Sequence, residues 1–247
     1  MSMPRDEFFF AVGLTFAALI SEEVVMHKRH LVFLAAYLAA SSPLAFAEWR
    51  KIPSKDFSLP PPPAVGSPAY AEDFKALKNA IAQRTEADCA LGAIQDQPSL
   101  NLFFSGRESP LPLAEVMKAK SLLIPAMELS ERVAGFQKDK FRRPRPYDID
   151  PTVKPCVKKP GGSKAYPSSH AAVAATATCL LSALYPEKAQ LLTAYGARLG
   201  ALRVSVGVHH PSDVEAGATL GTAVCERLLL EPDFQEELEE ILTAPSN

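Results

Sequence analysis

Neither sign of charge dominates this sequence: 26 Lys and Arg stand against 28 Asp and Glu. A general nucleic-acid binder needs a broad positive field, so that class is set aside and only local basic clusters remain to be explained. Glycine is sparse, at 12 residues, and alternating Val/Ile runs are few. That speaks against a sheet-built domain, whereas the abundance of Leu and Ala points to helices. Cysteine is limited to Cys89, Cys156, Cys179 and Cys225. With no Cys-x-x-Cys spacing and no neighbouring His pattern, zinc is not their purpose. No internal repeat occurs. The longest apolar run after residue 47, Ala171 to Tyr185, is short for a membrane span and carries Ser and Thr. What is left is a chain of 247 residues, long enough for one helical domain with a substantial core.

The N-terminal part reads as an export signal. His27, Lys28 and Arg29 precede an apolar stretch that ends in Ala45-Phe46-Ala47, a small-x-small cleavage site. Translation is therefore expected to start at Met26, with a mature chain from Glu48 onward in the periplasm or secreted. The upstream apolar run, Phe8 to Ile20, has no place in such a signal. Export changes how the cysteines are read, because an even number in an oxidising compartment suggests disulfides, with three pairings allowed. Cys89 with Cys156 is the favoured pair, since both stand near loops or helix ends. Cys179 and Cys225 lie in apolar helical runs, where a disulfide and two buried thiols are equally open.

The expected organisation is a signal region over 1–47, a proline-rich arm over 48–69 and a helical domain over 70–247. Ser58 to Pro68 reads as extended polyproline rather than folded core. A helical pattern starts near Tyr70 and runs on through Cys89, with Phe74, Leu77, Ile81 and Ala82 on one face. Another spans Leu113 to about Phe136 with a kink at Pro125. Arg142 to Pro167 is a long, basic, proline-rich loop of the kind that usually carries function. Helices then follow from Ser168, from Pro186 and from Ser212, the last with a Ser212/Glu215 capping box. A polar C-terminal helix begins at Glu231.

Three clusters stand out along this frame. Lys138 and Arg145-Pro146 are separated by six residues. Pro167-Ser168-Ser169-His170 opens a helix. Arg203, His209 and Asp213 follow with five and three residues between them. In this order and spacing they resemble the signature of the type 2 phosphatidic acid phosphatase superfamily (PAP2), whose pattern is Lys-x6-Arg-Pro, Pro-Ser-Gly-His and Ser-Arg-x5-His-x3-Asp. The surroundings of Gly207 to Gly217 look most like the bacterial class A nonspecific acid phosphatases. Ser169 departs from the usual glycine, and Leu202 from the serine that precedes the arginine. The resemblance implies an all-α bundle of the PAP2 and vanadium haloperoxidase type.

It also implies roles. His209 would be the nucleophile that becomes phosphorylated, Asp213 would orient it, and His170 would protonate the leaving group. Lys138, Arg145, Ser168, Ser169 and Arg203 would bind the phosphate. The physical logic agrees, because phosphoryl transfer spreads negative charge over equatorial oxygens and three cations can stabilise it without a metal or other cofactor. A helix start at Ser168 would add backbone N–H groups. His210 reads as a pocket wall or rim residue. Lys140, Arg142 and Arg143 read as a solvated basic rim, Arg198 as a surface or salt-bridge residue, and Tyr166 as a residue that could flank the pocket.

The expected activity is metal-independent hydrolysis of small phosphomonoesters at acid pH, with inorganic phosphate or vanadate as further ligands. No nucleic-acid partner and no membrane span in the mature chain are expected, and a homo-oligomer stays open. The alternatives are a vanadium haloperoxidase, which usually has long accessory regions missing here, a lipid-phosphate phosphatase at a membrane surface, and a polyanion-binding module without turnover.

Overall fold

The computed structural model describes residues 47–162 and 164–243. The expected signal peptide lies outside them apart from Ala47. One helix organises the rest: α7, Ser169–Leu184, whose residues are nearly all small or apolar and buried on every side. A helix that is apolar all round belongs at the centre of a bundle. The other helices, in chain order, are α1 (Pro68–Gln83), α2 (Glu86–Ile94), α3 (Leu100–Phe104), α4 (Leu113–Lys118), α5 (Lys120–Phe141) and α6 (Pro146–Ile149). After α7 come α8 (Ala189–Ser205), α9 (Pro211–Leu228) and α10 (Pro232–Thr243). α5, α8 and α9 pack directly on α7. No strand occurs among the described residues, so the fold is all-α.

α7 and α9 meet almost backbone to backbone. A Cβ at Gly217 would stand 2.3 Å from the Ser168 carbonyl oxygen, and one at Gly221 would stand 2.1 Å from that of Ala172. Neither atom can move aside, because each belongs to a helix start or interior. Gly221→Ala should therefore destabilise the protein by about 1–3 kcal/mol, read as a lower urea midpoint. An unchanged midpoint would mean that α9 retreats freely. The Cys179–Cys225 disulfide clamps the same helix pair, and Cys89–Cys156 ties α2 to the long loop. The favoured pairing is thus present, and the open question about Cys179 and Cys225 resolves as a disulfide.

Several boundaries differ from the sequence reading. The first helical pattern is two helices, because Thr85 and Asp88 form a capping box that starts α2 afresh. The Leu113 pattern also divides, with Ala119 closing α4 and opening α5. Pro186 opens a single 3-10 turn, Pro186–Lys188, ahead of α8. The cap of α9 is His210, whose backbone N–H donates to Asp213 Oδ2, not Ser212 with Glu215: proline at position 211 takes the first helical position and moves the cap back by two residues. The arm carries two 3-10 turns, Glu48–Lys51 and Ser54–Asp56, before a stretch without helix from Phe57 to Ala64, and it is part of the body. Leu59 is buried in the main core, Gln137 Nε2 donates to the Phe57 carbonyl at 2.6 Å, and Trp49 packs edge-on against Phe234 of α10.

Candidate active site

The three clusters converge where α5 ends, α7 and α9 begin and α8 ends. Lys138 lies in the last turn of α5, and Arg145 caps α6 within the long loop. Ser168 caps α7, so that Ser169 and His170 stand at its first turn. Arg203 lies in the last turn of α8. The chain then turns at Gly207, where φ is 84° and an added Cβ would meet the Pro155 backbone at 3.3 Å. That conformation and that contact both demand glycine. The turn delivers His209 directly ahead of α9. Lys138, Arg145, Ser169, His170, Arg203 and His209 line one cavity of about 570 Å³.

Two of the expected site residues lie behind that cavity. Ser168 is fully buried: its Oγ accepts the Ala171 N–H, and its own N–H donates to the Asp213 carbonyl at 2.7 Å. Its Oγ takes part in the helix cap, and of the two serines it is Ser169 that lines the cavity. Asp213 is also fully buried, at the back of His209. The His209 Nδ1–H donates to Asp213 Oδ2 at 3.3 Å. That fixes the tautomer and leaves the Nε2 lone pair toward the cavity, where Arg145 Nη1 donates to it at 2.7 Å. Burial, and then the positive charge of Arg145, push the His209 imidazole well below its usual range against the pull of Asp213. Burial alone would raise Asp213, but hydrogen bonds from His209 and His210 and the charge of Arg143 hold it far below the carboxylate range.

His170 is held from its other side. Its Nε2 donates to the Gln95 carbonyl at 2.6 Å, so Nδ1 is the nitrogen free to exchange a proton. Burial and the Arg203 charge lower this group to about 3, while the Gln95 carbonyl works in the opposite direction. Lys138 donates to the Pro167 carbonyl at 2.6 Å and is lowered to about 7 by burial and by Arg145. Arg203 donates to the Gly92 carbonyl at 3.3 Å, and burial lowers it to about 10. The cavity thus gathers three desolvated basic side chains and two imidazoles lowered by burial and by the neighbouring positive charge, a setting that an anion would relieve.

That arrangement fixes the sign of a pH effect. The two histidines bind protons more readily in the unfolded chain, so their stabilising contribution is complete above about pH 6.5. It is lost as the pH falls toward about 3, where the folded His170 titrates. Without phosphate, the urea midpoint should drop between about pH 7 and about pH 5, and phosphate should restore more of it at the lower pH. A midpoint that rises on acidification would contradict the burial of neutral imidazoles.

Two expectations about neighbours need correcting. Arg143 is not a solvated rim residue but is only 5 % exposed, paired with Asp73 at 2.6 Å and with Asp213 at 2.7 Å. His210 does not line the pocket: it is fully buried, edge-on to Phe74, with Nδ1 at 3.1 Å from Asp213 Oδ2. Its Nε2 has no partner among the described residues, which selects the tautomer with the proton on Nδ1, since a buried lone pair costs less than a buried N–H. Lys140 and Arg142 are exposed as expected, and Arg198 pairs with Glu108 at the surface. Tyr166 is buried and donates to the Pro60 carbonyl, holding the arm rather than the pocket. The contributions of Asp73, Gly92 and Gln95 were absent from the sequence reading. Among the described residues no three His, Cys, Asp or Glu side chains converge as a metal set.

The PAP2 superfamily profile matches residues 120–230, which include all three clusters. A non-specific acid phosphatase of Providencia stuartii is 30% identical over 73% of this chain and 76% of its own length. One from Salmonella typhimurium is 29% identical over 87% and 92%, and an acid phosphatase of Zymomonas mobilis is 25% identical over 97% and 89%. Among solved structures, a bacterial vanadium-dependent iodoperoxidase superposes with a TM-score of 0.57 at 16% identity, covering 77% of this chain; the chain spans 59% of its length. A transmembrane PAP2-type phosphatidylglycerolphosphate phosphatase from Bacillus subtilis gives 0.50 at 17% identity, over 70% of this chain and 89% of its own. No helix among the described residues is long and apolar enough to cross a membrane.

Proposed function

This chain belongs to the PAP2 superfamily, and from that premise we propose that it is an acid phosphatase that hydrolyses phosphomonoesters through a phosphohistidine on His209. One observation carries the reading: His209 Nε2, which accepts from Arg145, and His170 Nδ1 belong to two imidazoles on one cavity, flanked by Lys138, Arg145 and Arg203. The substrate's phosphoryl oxygens take the guanidinium of Arg145, which releases the lone pair on His209. That lone pair forms the N–P bond as the ester P–O bond breaks, and His170 Nδ1 gives its proton to the departing oxygen. Asp213 stabilises the positive charge on the phosphorylated ring. Water then attacks phosphorus, its proton passes to His170, and phosphate leaves with His209 restored.

For His170 to act as an acid it must be cationic, with protons on both nitrogens. The Gln95 carbonyl already supports the Nε2–H, and the charge of the bound phosphoryl group offsets the three cations that keep the ring neutral when empty. Charge stabilisation by side chains supports a reaction without a divalent ion. Two disulfides support a site of action outside the cytoplasm, in the periplasm or secreted.

The deciding experiment is rapid-quench trapping with a labelled aryl phosphate, in the presence and absence of chelator. Acid-labile phosphoryl on His209 with turnover insensitive to chelator is the expected outcome. Loss with chelator and recovery with a divalent ion would overturn the metal-independent step. Vanadate should compete with substrate, because it adopts the five-coordinate geometry of transfer. Iodide oxidation by peroxide in the vanadate-treated protein, without phosphatase turnover, would favour the haloperoxidase reading.

A further inference from the structure

Asp73 lies on α1, outside all three clusters and outside the residues matched by the family profile. It is buried, at 6 % exposure, although a helix needs no carboxylate in its packed face. Its Oδ2 receives Arg143 Nη2 at 2.6 Å, and its Oδ1 receives the Ser212 N–H at 2.9 Å. Arg143 Nη1 continues to Ser212 Oγ and to Asp213 Oδ1, each at 2.7 Å. Asp213 Oδ2 then meets His209. The result is a buried chain of contacts from α1 to the back of the imidazole that faces the cavity.

Docking of α1 does not account for it. Leu77, one turn further along, already anchors α1 in an apolar cluster with Val153 and Val204. A buried ion pair is a poor way to add stability, because desolvation offsets much of its attraction. Its geometry serves the site instead. The planar fork of Arg143 occupies Oδ1 of Asp213, so the carboxylate cannot rotate and Oδ2 stays aimed at His209. Asp73 shares the positive charge of Arg143. Without it, that charge would fall wholly on Asp213 and cancel the one anion in contact with His209. The other charges that act on His209 are Arg145 ahead of α6 and Lys138 from α5, both positive; His170 and Arg203 share its cavity, as do the carboxylates of Asp96, Glu131 and Asp139, none of which bonds to it among the described residues. His210, on the far side, donates to the same Asp213 oxygen.

We propose that Asp73 and Arg143 are positioning residues, which fix the Asp213 carboxylate and share out its negative charge toward His209. The inference rests on His209 being the phosphorylated residue. It predicts opposite effects from removing the two charges. Asp73→Asn leaves Arg143 to neutralise Asp213. The His209 ring becomes a weaker nucleophile and a better leaving group, so phosphorylation slows relative to dephosphorylation. Arg143→Met leaves Asp213 unneutralised, and the ratio moves the other way. The double variant removes one charge of each sign and returns the balance toward wild type.

The test is rapid-quench measurement of both steps with an aryl phosphate. The ratio of phosphorylation to dephosphorylation should fall about tenfold in Asp73→Asn and rise about tenfold in Arg143→Met, the equivalent of one pKa unit at His209. The double variant should lie between them. Packing damage would slow both steps without separating them. If the ratio moves in the same direction in both single variants, or in neither, the proposal is overturned. Where Arg143→Met does not fold, Asp73→Asn against the double variant reads the same contrast, and an equal ratio in those two sinks the proposal. A wild-type protein that forms no phosphoenzyme would instead remove the nucleophile assignment on which the proposal stands.

Discussion

Replacing His209 with alanine should lower turnover by on the order of 10⁵-fold or more and remove the trapped phosphoenzyme. The size follows from geometry, because His209 is the cavity imidazole backed by a carboxylate, Asp213. His210 is sealed away, and the His170 ring is held by Gln95 and has no carboxylate bonded to it among the described residues. The cations remain in the variant, so inorganic phosphate should still bind. Retained phosphate affinity with lost chemistry is the signature to look for, by calorimetry beside rapid quench. A covalent phosphohistidine in the His209→Ala protein would place the nucleophile elsewhere.

His170→Ala should divide substrates by leaving group. Alkyl phosphates, whose departing oxygen needs a proton, should slow by about 10²–10⁴-fold. Aryl phosphates with acidic leaving groups should form the phosphoenzyme at nearly the wild-type rate, yet turn over slowly, since the same nitrogen must take the proton from water. Phosphate binding should also carry a proton signature. Burial and the Arg203 charge lower the ring to about 3, and a bound phosphate that offsets the cations should make it cationic. Calorimetry in buffers of different ionisation enthalpy should show wild type taking up about one proton more than His170→Ala on binding phosphate at mildly acid pH. An equal uptake in both proteins would remove His170 as the acid.

The resemblance to the family signature made part of this site legible. Lys138, Arg145, His170, Arg203 and His209 stand in its three short segments, each at a helix end, and it is the resemblance that joins segments so far apart in the chain. Ser168 shows the limit of that logic. A serine before a helix can cap it or face a ligand, and the spacing is the same for both; the structure commits it to the Ala171 N–H. Gly92 and Gln95 were invisible because they act through carbonyls, which every residue has. Asp73 was invisible because its partner lies 70 residues away in sequence. Arg143 stands among Lys140 and Arg142, and charge alone does not tell which member of such a cluster turns inward. The helix breaks at Thr85 and Ala119 were missed because apolar periodicity continues across them, although Thr85 and Asp88 carried a cap signal.

The bond between Cys89 and Cys156 has a consequence in time. α2 bears the Gly92 and Gln95 carbonyls that hold Arg203 and His170, and the disulfide fastens α2 to the loop that reaches the cavity. A newly made chain in a reducing compartment would have to keep both carbonyls in place by packing alone. With the export proposed above, oxidation and competence would arrive together, outside the cytosol where most phosphate esters of metabolism reside. The bridge would then act as a delay between manufacture and use, sparing the cell's own phosphate esters.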